Sequence, residues 1–293
     1  MLYRKLGRTQ WYISEISLGS YGTFDVPKRN REGRENVTAV IRAAVESGVN
    51  LIDTANMYGS SEDTIGEALT QLKEEGLIEY GVPYDPLLKR NKPRIFIATK
   101  AWAASLKEAE RQIKNSFKVL RTNYIDLFQI HNLSVWKELL PVLKEMKDQE
   151  QIGAIGVTHY LEATYPEMLE AMKTGDIDAV QVPYNINQTR AAQEIFPESL
   201  KLDLGVLIMT PITQLFKRGY LLKKLESLNL NRFEKYGCTT PGQILLKFVI
   251  SHPAVTCAIP ATSKVERIEE NTVVSNGNDM DQADQEFLMN LVQ

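Results

Sequence analysis

Three short stretches of the chain carry side chains able to move or stabilise protons. In DTANMYG (53–59) a carboxylate, Asp53, and a phenol, Tyr58, stand five residues apart. An ammonium, Lys100, ends RIFIATK (94–100), and an imidazole, His131, ends YIDLFQIH (124–131). A free phenol ionises near pH 10 and is a reluctant proton partner at neutral pH; a neighbouring ammonium stabilises the phenolate and lowers that value. A carboxylate beside the ammonium keeps it charged and oriented, and an imidazole within reach can hydrogen-bond a substrate oxygen. Each residue also has an ordinary reading. Asp53 can open a turn, Tyr58 can pack on a helix, Lys100 can reach solvent from a strand end, and His131 can sit satisfied in a core. What favours chemistry is where the four fall together.

That location follows from the elements around them. Short apolar segments recur at 15–19, 49–53, 94–100, 124–131, 152–157, 177–182, 205–210 and 255–260, and each reads as a strand. Amphipathic helical patterns fill the gaps, as at 35–48, 105–120 and 134–149, with Pro141 expected to kink or bound the last of these. Eight strands alternating with helices predict an α/β fold, a (β/α)8 TIM barrel forming one domain over 1–293. A hairpin at 3–14, turning at Gly7-Arg8-Thr9, precedes it. A doubly wound open sheet would normally carry GxGxxG after its first strand, and no such spacing occurs. In a barrel, Asp53, Tyr58, Lys100 and His131 lie at the C-terminal mouths of the second, third and fourth strands, where such folds build their sites.

Two stretches interrupt the rhythm. Residues 76–93 lengthen a helix-to-strand link and are expected at the bottom as a peripheral elaboration, whereas 211–240 follow the seventh strand at the top, where they can fold over a ligand or form an extra surface helix and connector. Composition excludes several classes. Hydrophobic residues make up 43% and charged residues 24%, with 34 basic and 37 acidic residues interspersed. Nothing in that pattern suggests nucleic acid. Two cysteines, Cys238 and Cys257, give neither a disulfide framework nor a metal pair. No apolar run has the length of a signal peptide or a membrane span, so a soluble cytoplasmic protein without metal is expected.

In order and spacing these motifs resemble the aldo-keto reductases. The likeness runs through DxxxxYGxSE (53–62), the GEAL that follows, the strand-end TK, IDLFQIH, VQVPYN (180–185) and IPATSKVERIEEN (259–271). It implies a catalytic tetrad of Asp53, Tyr58, Lys100 and His131 reducing an aldehyde or ketone. A nicotinamide would give the hydride, Tyr58 the proton, and His131 would orient the carbonyl. NADPH is the implied cofactor, with NADH less favoured. Its carboxamide would meet Thr158, His159 and Gln181, and further contacts are implied at Gly19, Ser20, Tyr21 and Asp53. Thr210, Pro211 and Ile212 follow the seventh strand in the same role. At the adenosine end, Ser263 with Glu266 makes a capping-box pattern whose helix start suits phosphate. Lys264, Arg267, Glu270, Asn271, Pro260 and Thr262 accompany it.

The chain departs from the family in three places. Pro260-Ala261-Thr262 stands where many relatives have PKS, Thr158-His159 where they have SN, and Thr210-Pro211 where an aromatic residue stacks on the nicotinamide. Tyr21, Phe24, Trp102 and Tyr160 follow strands 1, 3 and 5 and are expected to ring a pocket for apolar or aromatic carbonyl compounds, without a protein partner. A second reading of the same resemblance is a nicotinamide-sensing regulatory subunit with little turnover.

Overall fold

The computed structural model describes residues 1–87, 91–212, 218–227 and 230–291. The chain opens with an antiparallel hairpin, β1 (Tyr3–Lys5) and β2 (Tyr12–Ser14), in the register Tyr3↔Ser14. A parallel eight-stranded sheet follows, beginning with β3 (Leu18–Gly19), β4 (Leu51–Asp53), β5 (Phe96–Ala101) and β6 (Ile125–His131). It continues with β7 (Ile152–Thr158), β8 (Ala179–Pro183), β9 (Gly205–Met209) and β10 (Cys257–Ala258). Each strand pairs with the next, and the bridges Ile16↔Ala258 and Gly19↔Ala261 join the first to the last. The sheet is therefore closed, as the alternation predicts.

Helices alternate with the strands: α1 (Arg31–Glu46), α2 (Ser61–Glu74), α3 (Leu106–Val119), α4 (Trp136–Asp148), α5 (Tyr165–Met172) and α6 (Ala191–Lys201). After β9 come α7 (Arg218–Glu226) and α8 (Pro241–Ile250), and after β10 come α9 (Glu266–Thr272) and α10 (Gln282–Asn290). In α1 the buried Val37, Val40, Ile41 and Ala44 form one stripe at helical spacing, and the Asn30 side chain caps the start by accepting from Gly33 N at 3.0 Å. In α2, Gly66 is required because a Cβ there would lie 2.2 Å from the Val119 carbonyl oxygen. Helix α4 runs through Pro141 without ending, although that proline has no N–H for the Lys137 carbonyl. No helix among the described residues is long and apolar enough to cross a membrane.

Two apolar layers hold the barrel. One lies between the strands and the helices. The other fills the barrel interior with Leu51, Phe96, Leu127, Ala154 and Leu207, and the hairpin's Leu6, Trp11 and Ile13 close it from below. Trp11 packs on Phe96 with ring centroids 5.2 Å apart. Burying a side chain such as Phe96 contributes roughly 1.5–3 kcal/mol. The link at 76–93, expected to be peripheral, packs into both layers, Ile78 and Tyr80 into the outer one and Tyr84 against the inner one. Ile78 and Tyr80 are buried, Glu79 bridges Arg94, and Tyr84 lies 5.7 Å from the Phe96 ring. Residues 88–90 of that link lie outside the described residues.

Candidate active site

Moving up the barrel, the inward positions change from apolar to polar at every second residue. Leu51 gives way to Asp53, Ala98 to Lys100, Leu127 to Gln129 and His131, and Ala179 to Gln181. Register aligns Lys100 with Gln129 and, two residues further up, His131 with Thr158 and Gln181, so these side chains line the mouth in a ring two levels deep. At its base, Lys100 is 1% exposed. Its Nζ donates to both Asp53 carboxylate oxygens at 2.7 Å and to the Thr54 carbonyl at 2.8 Å. Every ammonium proton thus has an acceptor. The Nε2 amides of Gln129 and Gln181 each donate to Asp53 at 3.3 Å. Gln129 was not singled out from the sequence, although it stands two residues before His131 on the same inward face.

Tyr58 sits above this pair on the turn from β4 to α2, with Lys100 Nζ 5.4 Å from its ring centroid. Its ring meets His131 edge-on at 6.1 Å and Tyr21 at 5.0 Å. The turn needs Gly59: its φ is +62°, and a Cβ there would lie 2.3 Å from the Asp25 carboxylate. That carboxylate accepts from both Ser60 N and Ser60 Oγ at 2.8 Å. Burial pushes the Tyr58 phenol above its ordinary 10, and the Lys100 charge opposes this without reversing it. Lys100 therefore acts on the phenol in the expected direction, and desolvation outweighs it. Burial, followed by the Lys100 and His159 charges, pushes His131 down to about 3, so the imidazole is neutral at physiological pH. His131 Nδ1 is buried without a hydrogen-bond partner.

Beside the ring, other buried polar atoms also lack partners, namely Thr158 Oγ1, Gln181 Oε1 and Ser20 Oγ. Unsatisfied acceptors and hydroxyls at the open end of a barrel fit a ligand with its own amide. His159 Nδ1 accepts from Leu161 N at 3.0 Å, which leaves the ring proton on Nε2. A separate cleft of about 300 Å³ is lined by Ile212, Pro260, Ala261, Thr262, Arg267, Glu270 and Asn271. Thr240, Pro241, Gly242, Leu222 and Glu226 complete its wall and were not foreseen. Arg267 pairs with Glu270, whose other oxygen accepts from Thr240 Oγ1 at 2.9 Å. A wider groove of about 490 Å³ between Trp136 and Asp176 holds none of the unpartnered polar atoms of the barrel mouth.

Two expectations fail here, the Ser263 cap and the pocket position of Phe24. Ser263 does not cap α9: Thr262 Oγ1 takes the Lys264 N–H at 3.1 Å, and the helix starts after Val265, whose side chain makes no cap. Ser263 and Lys264 are exposed and lie outside the cleft lining. Phe24 does not reach the pocket. Its N–H donates to the Ser20 carbonyl at 3.2 Å, folding the ring into the core at 0% exposure. Tyr21, Trp102 and Tyr160 are exposed, and Tyr160 stacks on His159 at 5.3 Å. Gln112 clamps the Trp102 backbone, accepting from its N–H at 2.9 Å and donating to its carbonyl at 2.6 Å. Thr210 stands in the left-handed region at φ +48°, a conformation that costs a β-branched residue about 1–3 kcal/mol. Asn185 Nδ2 donates to its carbonyl at 2.9 Å. Of the segment expected at the top after the seventh strand, residues 213–217 and 228–229 lie outside the described residues.

Known proteins resemble this chain in sequence and fold. The family model described as the Aldo/keto reductase family matches residues 15–286. A methylglyoxal reductase of Escherichia coli, YeaE, is 26% identical over 276 residues, covering 92% of this chain and 84% of that protein. An aldo/keto reductase of Klebsiella pneumoniae, crystallised with NADP and acetate, superposes with a TM-score of 0.77 at 22% identity, covering 99% of this chain and 94% of its own. The thermostable aldo-keto reductase Tm1743, in complex with the inhibitor epalrestat, gives 0.75 at 26% identity, covering 99% of this chain and 100% of its own. With the family match spanning the barrel and its mouth, the chain belongs to the aldo/keto reductase family of oxidoreductases.

Proposed function

We propose that the protein reduces aldehydes and ketones to alcohols with NADPH, using Tyr58 as the proton donor. The observation that carries this reading is the buried Asp53–Lys100 pair lying beneath a protonated phenol and a neutral imidazole at the barrel mouth. NADPH, when bound, supplies hydride to the carbonyl carbon. Tyr58 gives its proton to the oxygen that is becoming an alkoxide, and Lys100 stabilises the phenolate left behind. Asp53 keeps Lys100 in place through the two 2.7 Å bonds. His131, neutral, donates to the carbonyl oxygen and orients it. Thr158, His159 and Gln181 would hold the carboxamide, and the cleft from Ile212 to Asn271 the adenosine. Arg267, half exposed, is the group suited to a 2′-phosphate. The exposed Tyr21, Trp102 and Tyr160 favour apolar or aromatic carbonyl substrates.

The test is loss of nicotinamide absorbance with a reactive quinone or an aromatic aldehyde, with NADPH and NADH in parallel, on the wild type and Tyr58→Phe. Turnover with NADPH that falls by about 100-fold or more in the variant supports the reading. Tight cofactor binding without turnover on a broad carbonyl panel would favour a cofactor-sensing subunit. The strained Thr210, standing where relatives stack an aromatic residue, is the observation that keeps this second reading in view.

A further inference from the structure

One buried titratable group takes no part in the proposed chemistry. Glu62, in the first turn of α2, is 3% exposed. Thr99 Oγ1 donates to its Oε1 at 2.6 Å, and Asn56 Nδ2 donates to its Oε2 at 3.2 Å. Thr99 precedes Lys100 on β5 and, by the alternation of the strand, points out of the barrel towards α2. Asn56 lies in the turn between Asp53 and Tyr58, and its N–H donates to the Lys100 carbonyl at 3.2 Å. One carboxyl therefore holds both the strand carrying the ammonium and the turn carrying the phenol. Thr54 Oγ1 and Ser61 Oγ are buried in the same turn without partners. Apart from Lys100 itself, the side-chain ties of this turn to β5 run through Glu62.

We propose that Glu62 is a positioning residue that sets the spacing of Tyr58 from Lys100 through Asn56 and Thr99, without touching substrate or cofactor. An apolar side chain would fill the same space without burying a carboxyl, but it would accept neither hydrogen bond. Burial pushes the Glu62 carboxyl above the ordinary carboxylate range, and the nearby Thr99, Ser116 and Asn56 side chains act against it. The positive end of the α2 dipole also favours a carboxylate in the first turn. The inference rests on the proposed reductase reading for its kinetic consequence, and on geometry alone for its effect on Tyr58.

The experiment compares Thr99→Val, Glu62→Ala and Glu62→Gln with the wild type. The first variant keeps the shape of the side chain and removes only the donor, so it serves even where Glu62→Ala does not fold. Three quantities are read: kcat and KM for an aromatic aldehyde, NADPH affinity by fluorescence, and the Tyr58 titration. The titration is an ultraviolet difference against the same protein carrying Tyr58→Phe, without cofactor or substrate. Thr99→Val and Glu62→Ala should lower kcat by about tenfold to 100-fold with less than about a twofold change in NADPH affinity. Tyr58 should titrate at higher pH in both, because the ammonium that favours its phenolate is no longer held beside it. Glu62→Gln, which keeps an acceptor for Thr99, should restore most of kcat. Wild-type kcat with an unmoved Tyr58 titration in Thr99→Val overturns the proposal. So does equal loss of kcat and NADPH affinity with that titration unmoved, the mark of a merely structural role. A wild type that reduces no carbonyl would defeat the reductase reading alone, and the titration arm would still decide the positioning role.

Discussion

Replacing Lys100 by methionine removes the ammonium while keeping a comparable apolar stem. It leaves Asp53, 4% exposed, with only the two 3.3 Å amide contacts from Gln129 and Gln181. At the observed 2.7 Å, an effective dielectric of about 20 gives the pair a gross attraction of about 6 kcal/mol. Desolvation of two charges offsets most of that, so the net worth of the intact pair is small. Leaving one charge unpaired is different and costs about 3–5 kcal/mol. Lys100→Met should therefore lose about 3–5 kcal/mol of unfolding free energy in denaturant titrations followed by circular dichroism at neutral pH. Melting should fall by about 5–8 °C for a chain of this size. Asp53→Asn should lose a similar amount, stranding the ammonium instead. The double variant carries neither charge and should be more stable than the sum of the singles by at least about 2 kcal/mol. Reductase activity should fall by about 100-fold or more in Lys100→Met and should not return in the double variant, because Tyr58 still lacks its cation. Single losses that add to within about 0.5 kcal/mol would refute the coupling read from the geometry.

The pH dependence of folding offers a second check. Burial holds folded His131 at about 3, below its unfolded value, so the unfolded chain binds more protons across that window and stability is lost as pH falls. His131→Gln should flatten this slope in melts recorded between about pH 4 and pH 7. Gly59→Ala forces an alanine to φ +62° against the Asp25 carboxylate and should cost about 1–2 kcal/mol, with kcat reduced about tenfold as Tyr58 shifts and NADPH affinity little changed. Asp126→Asn, at the lower end of the barrel, weakens a buried pair with Arg94. It should cost about 3–5 kcal/mol in denaturant titrations and leave kcat unchanged.

The barrel was legible in the sequence because its strands are buried on both faces and read as short apolar runs between amphipathic helices. The ends were less so. Only Leu18–Gly19 of 15–19 and Cys257–Ala258 of 255–260 are strand, since β3 and β10 meet through isolated bridges rather than a continuous ladder. Asp53, Lys100 and His131 stood out because a charged or titratable group at a strand end breaks an apolar pattern. Gln129 did not stand out. Its neutral amide looks like ordinary alternation, and its role depends on a carboxylate that folding brings from another strand. Phe24 misled for the opposite reason. Its place after the first strand suggested the mouth, and a local hydrogen bond to Ser20 turns it inward. The Ser263 cap was lost to a competitor one residue earlier, a choice that hydroxyl spacing alone does not decide.

The apolar layer beneath the polar mouth of the barrel also bears on the direction of the proposed reaction. Leu51, Ala98 and Leu127 lie directly below Asp53, Lys100 and Gln129, so the ion pair is desolvated from beneath while its upper side faces the phenol. In that setting the Lys100 charge does not bring Tyr58 below its ordinary value, because burial acts more strongly in the other direction. Before reaction the phenol is therefore protonated at neutral pH, the state a proton donor needs. The reverse reaction, alcohol oxidation, needs the phenolate as base, and its rate should keep rising with pH well beyond neutrality, whereas carbonyl reduction should hold a plateau there. Parallel pH profiles for the two directions test this. Oxidation that peaks near neutral pH would mean that a bound cofactor or substrate reverses the balance between burial and Lys100.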